Sequence, residues 1–129
     1  MAMKIVNGLY YTQDHEWIKL EGNAAYVGIT DFAAHALGSI VFVELPEVDT
    51  EIEAEENFGT IESVKAASDM LMPVTGKIIE VNEDLENDPS LINSDPYENW
   101  ICKIEIANKA DLDELMNAEE YEAFCKEEA

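Results

Sequence analysis

Alternating apolar and polar residues predict short β-strands at the start of the chain. Residues 10–12 and 15–20 alternate in this way, residues 21–23 are turn formers, and residues 24–29 complete an antiparallel hairpin. Thr30 and Asp31 are both favourable N-caps, and Gly38 is a typical residue to end a helix. The pattern therefore predicts a short helix over residues 32–37, after the second strand.

The middle of the chain lacks helical periodicity. Residues 40–45 form a β-branched and aromatic run that Pro46 ends, which predicts a well-buried strand. An acidic connector follows, with a short strand expected near Ile52. The further predicted elements are strands over 57–63, 68–72, 77–81 and 100–106, a turn at 73–76, and a long loop over 82–96 with one helical turn at 89–93.

Two segments of the chain are similar to each other. Residues 38–44 resemble residues 76–82, and each segment is followed later by an aromatic-led strand, from Phe58 and from Trp100. If the similarity is real, it predicts two small antiparallel sheets packed face to face. Chance similarity between glycine-led strands is the alternative, because only about seven positions match.

The apolar period changes to a helical one near the end of the chain. Leu112, Leu115 and Met116 fall at helical spacing, and Tyr121, Phe124 and Cys125 repeat that spacing. We interpret both stripes as helix faces packed on the core, with a partner groove as the alternative. A capping box is expected between Asn117 and Glu120.

These elements predict a mainly β fold with helices, of the α+β class. The two small antiparallel sheets form a flattened barrel-sandwich hybrid, followed by C-terminal helices. A chain of 129 residues has the size of one domain. We expect a single domain over residues 1–129, with a β core over 9–106 and the C-terminal helices over 111–127.

Lys65 is the candidate site, because it lies between small or apolar neighbours where two predicted strands meet. A tight hairpin tip usually carries Asn-Gly, Asp-Gly or paired glycines, which accept positive φ. Val64, Lys65 and Ala66 include none of these residue types. Turn chemistry alone leaves an ordinary solvated lysine at a loose turn as the alternative.

The charge balance excludes some partners. The chain has 29 acidic and 7 basic residues, a formal net charge of −22, and every basic residue is a lysine. A field this negative repels nucleic acid and anionic lipid. We therefore expect neither nucleic acid nor a membrane as a partner. Cationic faces of other proteins are the natural partners. The alternative is acidity that only maintains solubility or reflects an unusual habitat.

Few residues are available for independent catalysis or metal binding. His15 and His35 are the only histidines, and the sequence has no Gly-x-Ser-x-Gly elbow, no phosphate-binding glycine loop and no His-Glu-x-x-His motif. His35 has no second ligand at helical spacing, so we expect a surface helix residue and no metal site. Cys102 and Cys125 are predicted to be buried free thiols, and no apolar run predicts a signal or a membrane span, which indicates a cytoplasmic protein.

Several segments together resemble the glycine cleavage system H protein family. The block 62–69 around Lys65, with 73–76 and 80–82 after it, is similar to the lipoyl-attachment segment of that family. Residues 14–17, 27–46 and 91–97 also agree, so the resemblance extends from Tyr10 to the C-terminal helices. Residues 97–100 depart from the family pattern, because this loop is shorter and lacks the usual glycine.

The resemblance implies a lipoyl-carrier domain with no catalytic residues. Lys65 would be joined by an amide bond to lipoic acid, which a lipoate ligase or an octanoyltransferase attaches. The carrier would move an aminomethyl group from a pyridoxal-phosphate glycine decarboxylase to an aminomethyltransferase. It would also pass electrons to dihydrolipoyl dehydrogenase.

The resemblance further implies that Glu16 and Asp69 lie near the ammonium of the aminomethyl group. A cleft with carboxylates would protect that group from water. For each residue, an ordinary solvated carboxylate is the alternative.

Two other functions are compatible with the same sequence. A carrier that relays octanoyl or lipoyl groups to other enzymes would also use Lys65. An unmodified acidic interaction protein that retains the fold would not.

Overall fold

The computed structural model of the protein describes residues 4–128. The strands in this part of the chain are β1 (Tyr10–Tyr11), β2 (Glu16–Glu21), β3 (Ala24–Ile29), β4 (Ile40–Glu44), β5 (Glu51–Ile52), β6 (Asn57–Ser63), β7 (Ala67–Leu71), β8 (Gly76–Val81) and β9 (Cys102–Ile106). The α-helices are α1 (Asp31–Leu37), α2 (Asp84–Asn87), α3 (Leu91–Ser94) and α4 (Ala118–Glu128), and Lys109–Glu114 forms a 3₁₀-helix.

The strands form two antiparallel sheets. The larger sheet has the order β1-β2-β3-β9-β8-β5, and the smaller has the order β4-β6-β7. The predicted α+β class with two antiparallel sheets is confirmed. The sheets differ in size, however, and they do not close into a barrel.

One hydrophobic core joins the two sheets. Val43 and Ile61 are neighbours in the small sheet, Ile78 and Ile104 are neighbours in the large one, and all four are buried in the same cluster. Alternate residues of each strand thus face the other sheet, which explains the apolar and polar alternation of the sequence.

The internal similarity has a structural counterpart. β4 pairs with the later strand β6, and β8 pairs with the later strand β9. The register of each pair shifts at an equivalent position, at Val41 in β4 and at Ile79 in β8. A β-bulge at the same place in both segments supports a real correspondence between them.

The predicted burial of the strand over 40–45 is wrong in part. Ile40 and Val43 are buried, but the side chains of Val41 and Phe42 are 54% and 48% exposed. The bulge between Ile40 and Phe42 breaks the alternation, and the outer face of the small sheet is open. β-branched and aromatic composition therefore identified the strand but not its burial.

Two local elements differ from the predictions. The short helix follows the third strand instead of the second, because Tyr10–Tyr11 pairs as a separate strand with β2. The loop over 82–96 contains α2 in addition to the expected turn, which is α3. Leu85 is the buried residue of α2, and one apolar residue produces no periodicity that a sequence pattern can detect.

The C-terminal segment has one α-helix instead of two. Leu112 belongs to the 3₁₀-helix, whereas Leu115 and Met116 lie beyond it. Met116 exchanges backbone hydrogen bonds with Tyr11, at 2.8 and 2.9 Å between nitrogen and oxygen. The helix α4 begins with the expected capping box, in which Asn117 and Glu120 bond each other's backbone N–H.

Tyr121 and Cys125 on α4 are buried, as the second apolar stripe predicts. Within residues 4–128, no helix is long and apolar enough to cross a membrane. The prediction of a single domain over 1–129 stays a prediction, and it includes residues 1–3 and 129, which lie outside the described residues.

Candidate functional site

Lys65 lies at the tip of the hairpin between β6 and β7. The Ser63 N–H donates to the Ala66 carbonyl at 2.7 Å. The hydroxyl oxygen of Ser63 also accepts from the N–H groups of Lys65 and Ala66, at 3.3 and 3.1 Å. A serine side chain thus makes the bonds that stabilise this turn, so no glycine is required. The sequence identifies Ser63 only as a small residue near Lys65, and its position two residues before the tip is the signal of this role.

A second contact anchors the tip to the rest of the protein. The Val64 N–H donates to the Ser39 carbonyl at 3.0 Å, just after the end of α1. Gly38, which ends α1, has a φ of 79°, a conformation that favours glycine. A Cβ atom at residue 38 would lie 3.5 Å from Cε of Lys65. The lysine stem therefore passes close over a glycine, while the backbone of the tip is held in place.

The end of the lysine side chain is accessible. Val64, Lys65, Ala66 and Ala67 are all exposed. Within residues 4–128, no hydrogen bond or ion pair joins the Lys65 ammonium to another residue. The hairpin thus combines a fixed backbone with an amine that another protein can reach.

Glu16 is buried behind the edge of β7. Its side chain is only 3% exposed, and the Leu71 N–H donates to its Oε2 at 2.7 Å. Its Oε1 is buried without a hydrogen-bond partner among residues 4–128. Burial raises the pKa of Glu16 from its ordinary value of 4.5 to about 8, although the bond from Leu71 opposes this shift. Glu16 is therefore largely a neutral acid at pH 7.

A tight turn directs Glu16 inward. His15 has a φ of 64°, in the left-handed region, and its N–H donates to the Thr12 carbonyl at 3.2 Å. The Thr12 hydroxyl oxygen accepts from the N–H groups of Asp14 and Glu16, both at 3.2 Å. Strained backbone of this kind persists only where its surroundings hold it.

The surroundings of this turn come from α1 and α4. Nδ1 of His15 is hydrogen-bonded to the Tyr121 hydroxyl at 2.7 Å, and that hydroxyl also bonds Oγ1 of Thr30 at 2.7 Å. The His15 ring stacks on Phe32 with 4.3 Å between ring centroids. The sequence interpretation missed this role of His15, and the direct neighbourhood of Glu16 was the only available signal.

Asp69 occupies a different environment from Glu16. It is an exposed residue of β7, paired with Thr60 of β6. Glu16 contacts the same strand two residues further on, at the amide of Leu71. From Lys65 to Leu71, an extended strand rises about 20 Å. Lys65 and Asp69 thus lie on one hairpin, and Glu16 on β2 contacts its far end at Leu71; within residues 4–128 no hydrogen bond or ion pair joins the three side chains.

Two clefts adjoin this hairpin. The larger has a volume of about 590 Å³, and Leu71 lines it together with Asp14, Glu55, Asp111 and Glu114. The second has a volume of about 520 Å³ and is lined by α1, Gly38 and α3 residues, including the exposed His35. Acidic residues thus surround the cleft next to the Leu71 amide, which suits a cationic group. Within residues 4–128, no group of three or more His, Cys, Asp or Glu residues is arranged to hold a metal ion.

An exposed amine on a fixed hairpin suits covalent attachment better than catalysis. The same presentation suits the class of carrier proteins that hold a prosthetic group on a lysine. The sequence of the chain shows which family of carriers it belongs to. Residues 9–128 match the profile of the family described as Glycine cleavage H-protein, and the chain belongs to that family.

Similar proteins support the same assignment. The chain is 58% identical over 127 residues to the glycine cleavage system H protein of Alkaliphilus oremlandii, which covers 98% of this chain and 100% of the relative. It is 55% identical over 126 residues to that of Thermoanaerobacter pseudethanolicus, with 98% and 100% covered. The crystal structure of an H protein from Mycobacterium marinum superimposes with a TM-score of 0.87 at 39% identity, covering 95% of this chain and 99% of that one.

Membership of this family indicates what class of function the chain has. The chain is a lipoyl-carrying shuttle component of the glycine cleavage system and is not itself an enzyme. The relatives favour this role over a relay of octanoyl or lipoyl groups.

Proposed function

We propose that Lys65 is the residue of this chain that carries lipoic acid, joined through its Nζ atom by an amide bond. The observation that carries the proposal is the exposed lysine on a hairpin tip that Ser63 and Ser39 hold in place. A swinging arm needs a fixed origin, because its reach is useful only when the attachment point is well placed.

Attachment requires little from the carrier beyond this presentation. An ordinary lysine has a pKa of about 10.4, so the attaching enzyme must remove a proton before Nζ attacks an activated acyl carbon. The amide bond then forms as the activating group leaves, and the positive charge of Lys65 is lost. The exposed backbone around Lys65 leaves room for an enzyme to surround the side chain.

The bound lipoyl group would supply the disulfide chemistry that accepts an aminomethyl group and later returns electrons. Glu16 and Asp69 would hold the cationic end of the loaded arm. Glu16 has one oxygen without a partner among residues 4–128, and its other oxygen accepts from Leu71, which lines a cleft that is rich in carboxylates. A cation that approaches Glu16 lowers the pKa of its carboxyl group, so the proton leaves and a buried ion pair forms.

The remaining expectations concern partners and location. Glycine decarboxylase, aminomethyltransferase and dihydrolipoyl dehydrogenase would act on the loaded arm, and a lipoate ligase or octanoyltransferase would attach it. A net charge of −22 supports partners with basic docking faces. We also expect a single carrier domain that works in the cytoplasm.

Intact-mass measurement of protein isolated from its own cells tests the attachment site. The unaltered protein should show the mass of a lipoyl or octanoyl amide, and Lys65→Arg should lose it completely. Lys19→Arg is the matched control, because Lys19 is an exposed lysine elsewhere in the structure and should keep the modification. An unmodified wild-type protein, or a Lys65→Arg variant that is still modified, would contradict the proposal.

The lifetime of the loaded arm tests the sheltering residues. Glu16→Ala should speed the release of formaldehyde from aminomethyl-loaded protein by about tenfold or more, the factor that corresponds to 1.4 kcal/mol. Glu80→Ala serves as a control, since Glu80 is an exposed carboxylate on β8 of the large sheet. Equal lifetimes for the Glu16 variant and the wild type would remove Glu16 from this role. The same experiment with Asp69→Ala tests Asp69 separately.

A further inference from the structure

Exposed apolar side chains collect around the Lys65 hairpin. Among the described residues, the large apolar side chains with high exposure are Leu20, Val41, Phe42, Val48 and Val64. Three of these five lie on the hairpin or on the strand beside it, and Val64 next to Lys65 is 71% exposed. Exposed apolar side chains that cluster in this way mark an interaction surface more often than scattered ones do.

The backbone brings these three side chains to one place. The bulge in β4 leaves both Val41 and Phe42 outside the core, and Phe42 is the direct neighbour of Glu62 on β6. The Val64 N–H donates a hydrogen bond to the carbonyl of Ser39, and Ser39 is two residues before Val41. Glu62, the neighbour of Phe42, is three residues before Lys65, at most about 10 Å along the chain, so the apolar residues lie near the base of the hairpin tip. We call Val41, Phe42 and Val64 the hairpin surface.

Carboxylates border the hairpin surface. Directly opposite residues of paired strands lie on the same face of a sheet. Phe42 is opposite Glu62, and two residues further along the strands Glu44 and Asp69 lie on either side of Thr60, on the same face. All three acidic residues are exposed. A complementary partner therefore needs an apolar centre with basic side chains around it.

We propose that the hairpin surface docks the enzyme that attaches lipoic acid to Lys65, through an apolar pocket edged by lysine or arginine. The choice among partners follows from where each one reacts. Attachment takes place at Nζ itself, so the attaching enzyme must contact the residues that adjoin Lys65. Enzymes that react with the far end of the arm can dock an arm's length away. This inference rests on the proposed attachment at Lys65.

The initial rate of attachment tests the proposal. Unmodified protein is supplied at increasing concentration to purified lipoate ligase with lipoate and ATP, and in a second series to octanoyltransferase with an octanoyl donor. Mass spectrometry follows the product. Val41→Ser and Phe42→Ser should each lower kcat/KM by about tenfold or more, as expected for a buried aromatic or aliphatic anchor of an interface. Leu20→Ser and Val48→Ser, equally apolar and exposed elsewhere, should change it less than twofold.

Competition separates docking from folding. Excess Lys65→Arg protein should inhibit modification of the wild type, whereas Lys65→Arg combined with Phe42→Ser should inhibit about tenfold less. Thermal unfolding of each variant verifies that it is folded. Unchanged kcat/KM and unchanged inhibition with both enzymes would overturn the docking surface and leave Lys65 as the attachment site. If the unaltered protein gains no mass with either enzyme, the attachment site and the docking surface are both wrong.

Discussion

The Lys65 hairpin and the Glu16 turn are both short and polar, yet they differ in almost every physical respect. The hairpin is exposed, and a serine side chain stabilises its backbone. The Glu16 turn is packed under α4 and has left-handed backbone at His15. It buries a carboxyl group with one oxygen that has no partner in the described part of the chain. Presenting an exposed lysine thus needs only local hydrogen bonds, whereas burying the Glu16 carboxyl group is accompanied by left-handed backbone at the residue before it.

The pH dependence of stability should show this difference most strongly. Burial raises the pKa of Glu16 to about 8 in the folded protein, whereas the ordinary value of 4.5 applies to the unfolded chain. Between these values the folded state binds more protons, so the free energy of unfolding should fall as pH rises, by at most about 1.4 kcal/mol per pH unit. The contribution is constant below and above this window.

Glu16→Gln should remove this slope, because glutamine keeps an oxygen for the Leu71 N–H and carries no titratable proton. Urea unfolding at pH 5, 6, 7 and 8 measures the free energy of unfolding of both proteins. The difference between the variant and the wild type should shift in favour of the variant with each increase in pH. Glu44→Gln, at an exposed position, is the control and should follow the wild type. Parallel curves for Glu16→Gln and the wild type would show that Glu16 titrates normally.

Tyr121→Phe should have the next largest effect. It removes a hydroxyl that bonds both His15 and Thr30, so two partners lose a hydrogen bond in a largely buried place. We expect a loss of about 1–3 kcal/mol in the free energy of unfolding. Tyr10→Phe, at a half-buried tyrosine on β1, provides a comparison. If Tyr121→Phe shortens the lifetime of the loaded arm as much as Glu16→Ala does, the bonds from α4 hold Glu16 in its protective position. A normal lifetime would mean that Tyr121 stabilises the fold without affecting Glu16.

Ser63→Ala should have the smallest effect on stability. The hydrogen bonds of Ser63 are exposed at the tip, so their loss should cost about 1 kcal/mol or less. Hydrogen exchange at the Lys65 and Ala66 amides should become faster, while exchange in the large sheet stays the same. Ser68→Ala, at an exposed serine of β7, is the control. Unchanged exchange at the tip would mean that the Ser39 contact alone holds it.

Much of the fold could be predicted because its signals are local. The Thr30 N-cap, Gly38 at the end of α1 and the box of Asn117 and Glu120 are each recognisable within a few residues, and each occurs in the structure. The strands also followed from local alternation. Predictions became wrong where a local pattern had two solutions, as at Leu115 and Met116, where pairing with Tyr11 replaces a second helix.

The sequence by itself determined the family, the number of sheets and the candidate Lys65. It did so because the motifs of the family are each recognisable within a few residues, and because residues 38–44 and 76–82 resemble each other. Only the tertiary structure decided that Glu16 is buried, because the amide that bonds it lies 55 residues away in Leu71. The structure alone also decided that Val41 and Phe42 face outward, because a bulge and an open sheet face override their composition. Burial is a property of the packed chain, and neighbours in sequence do not specify it.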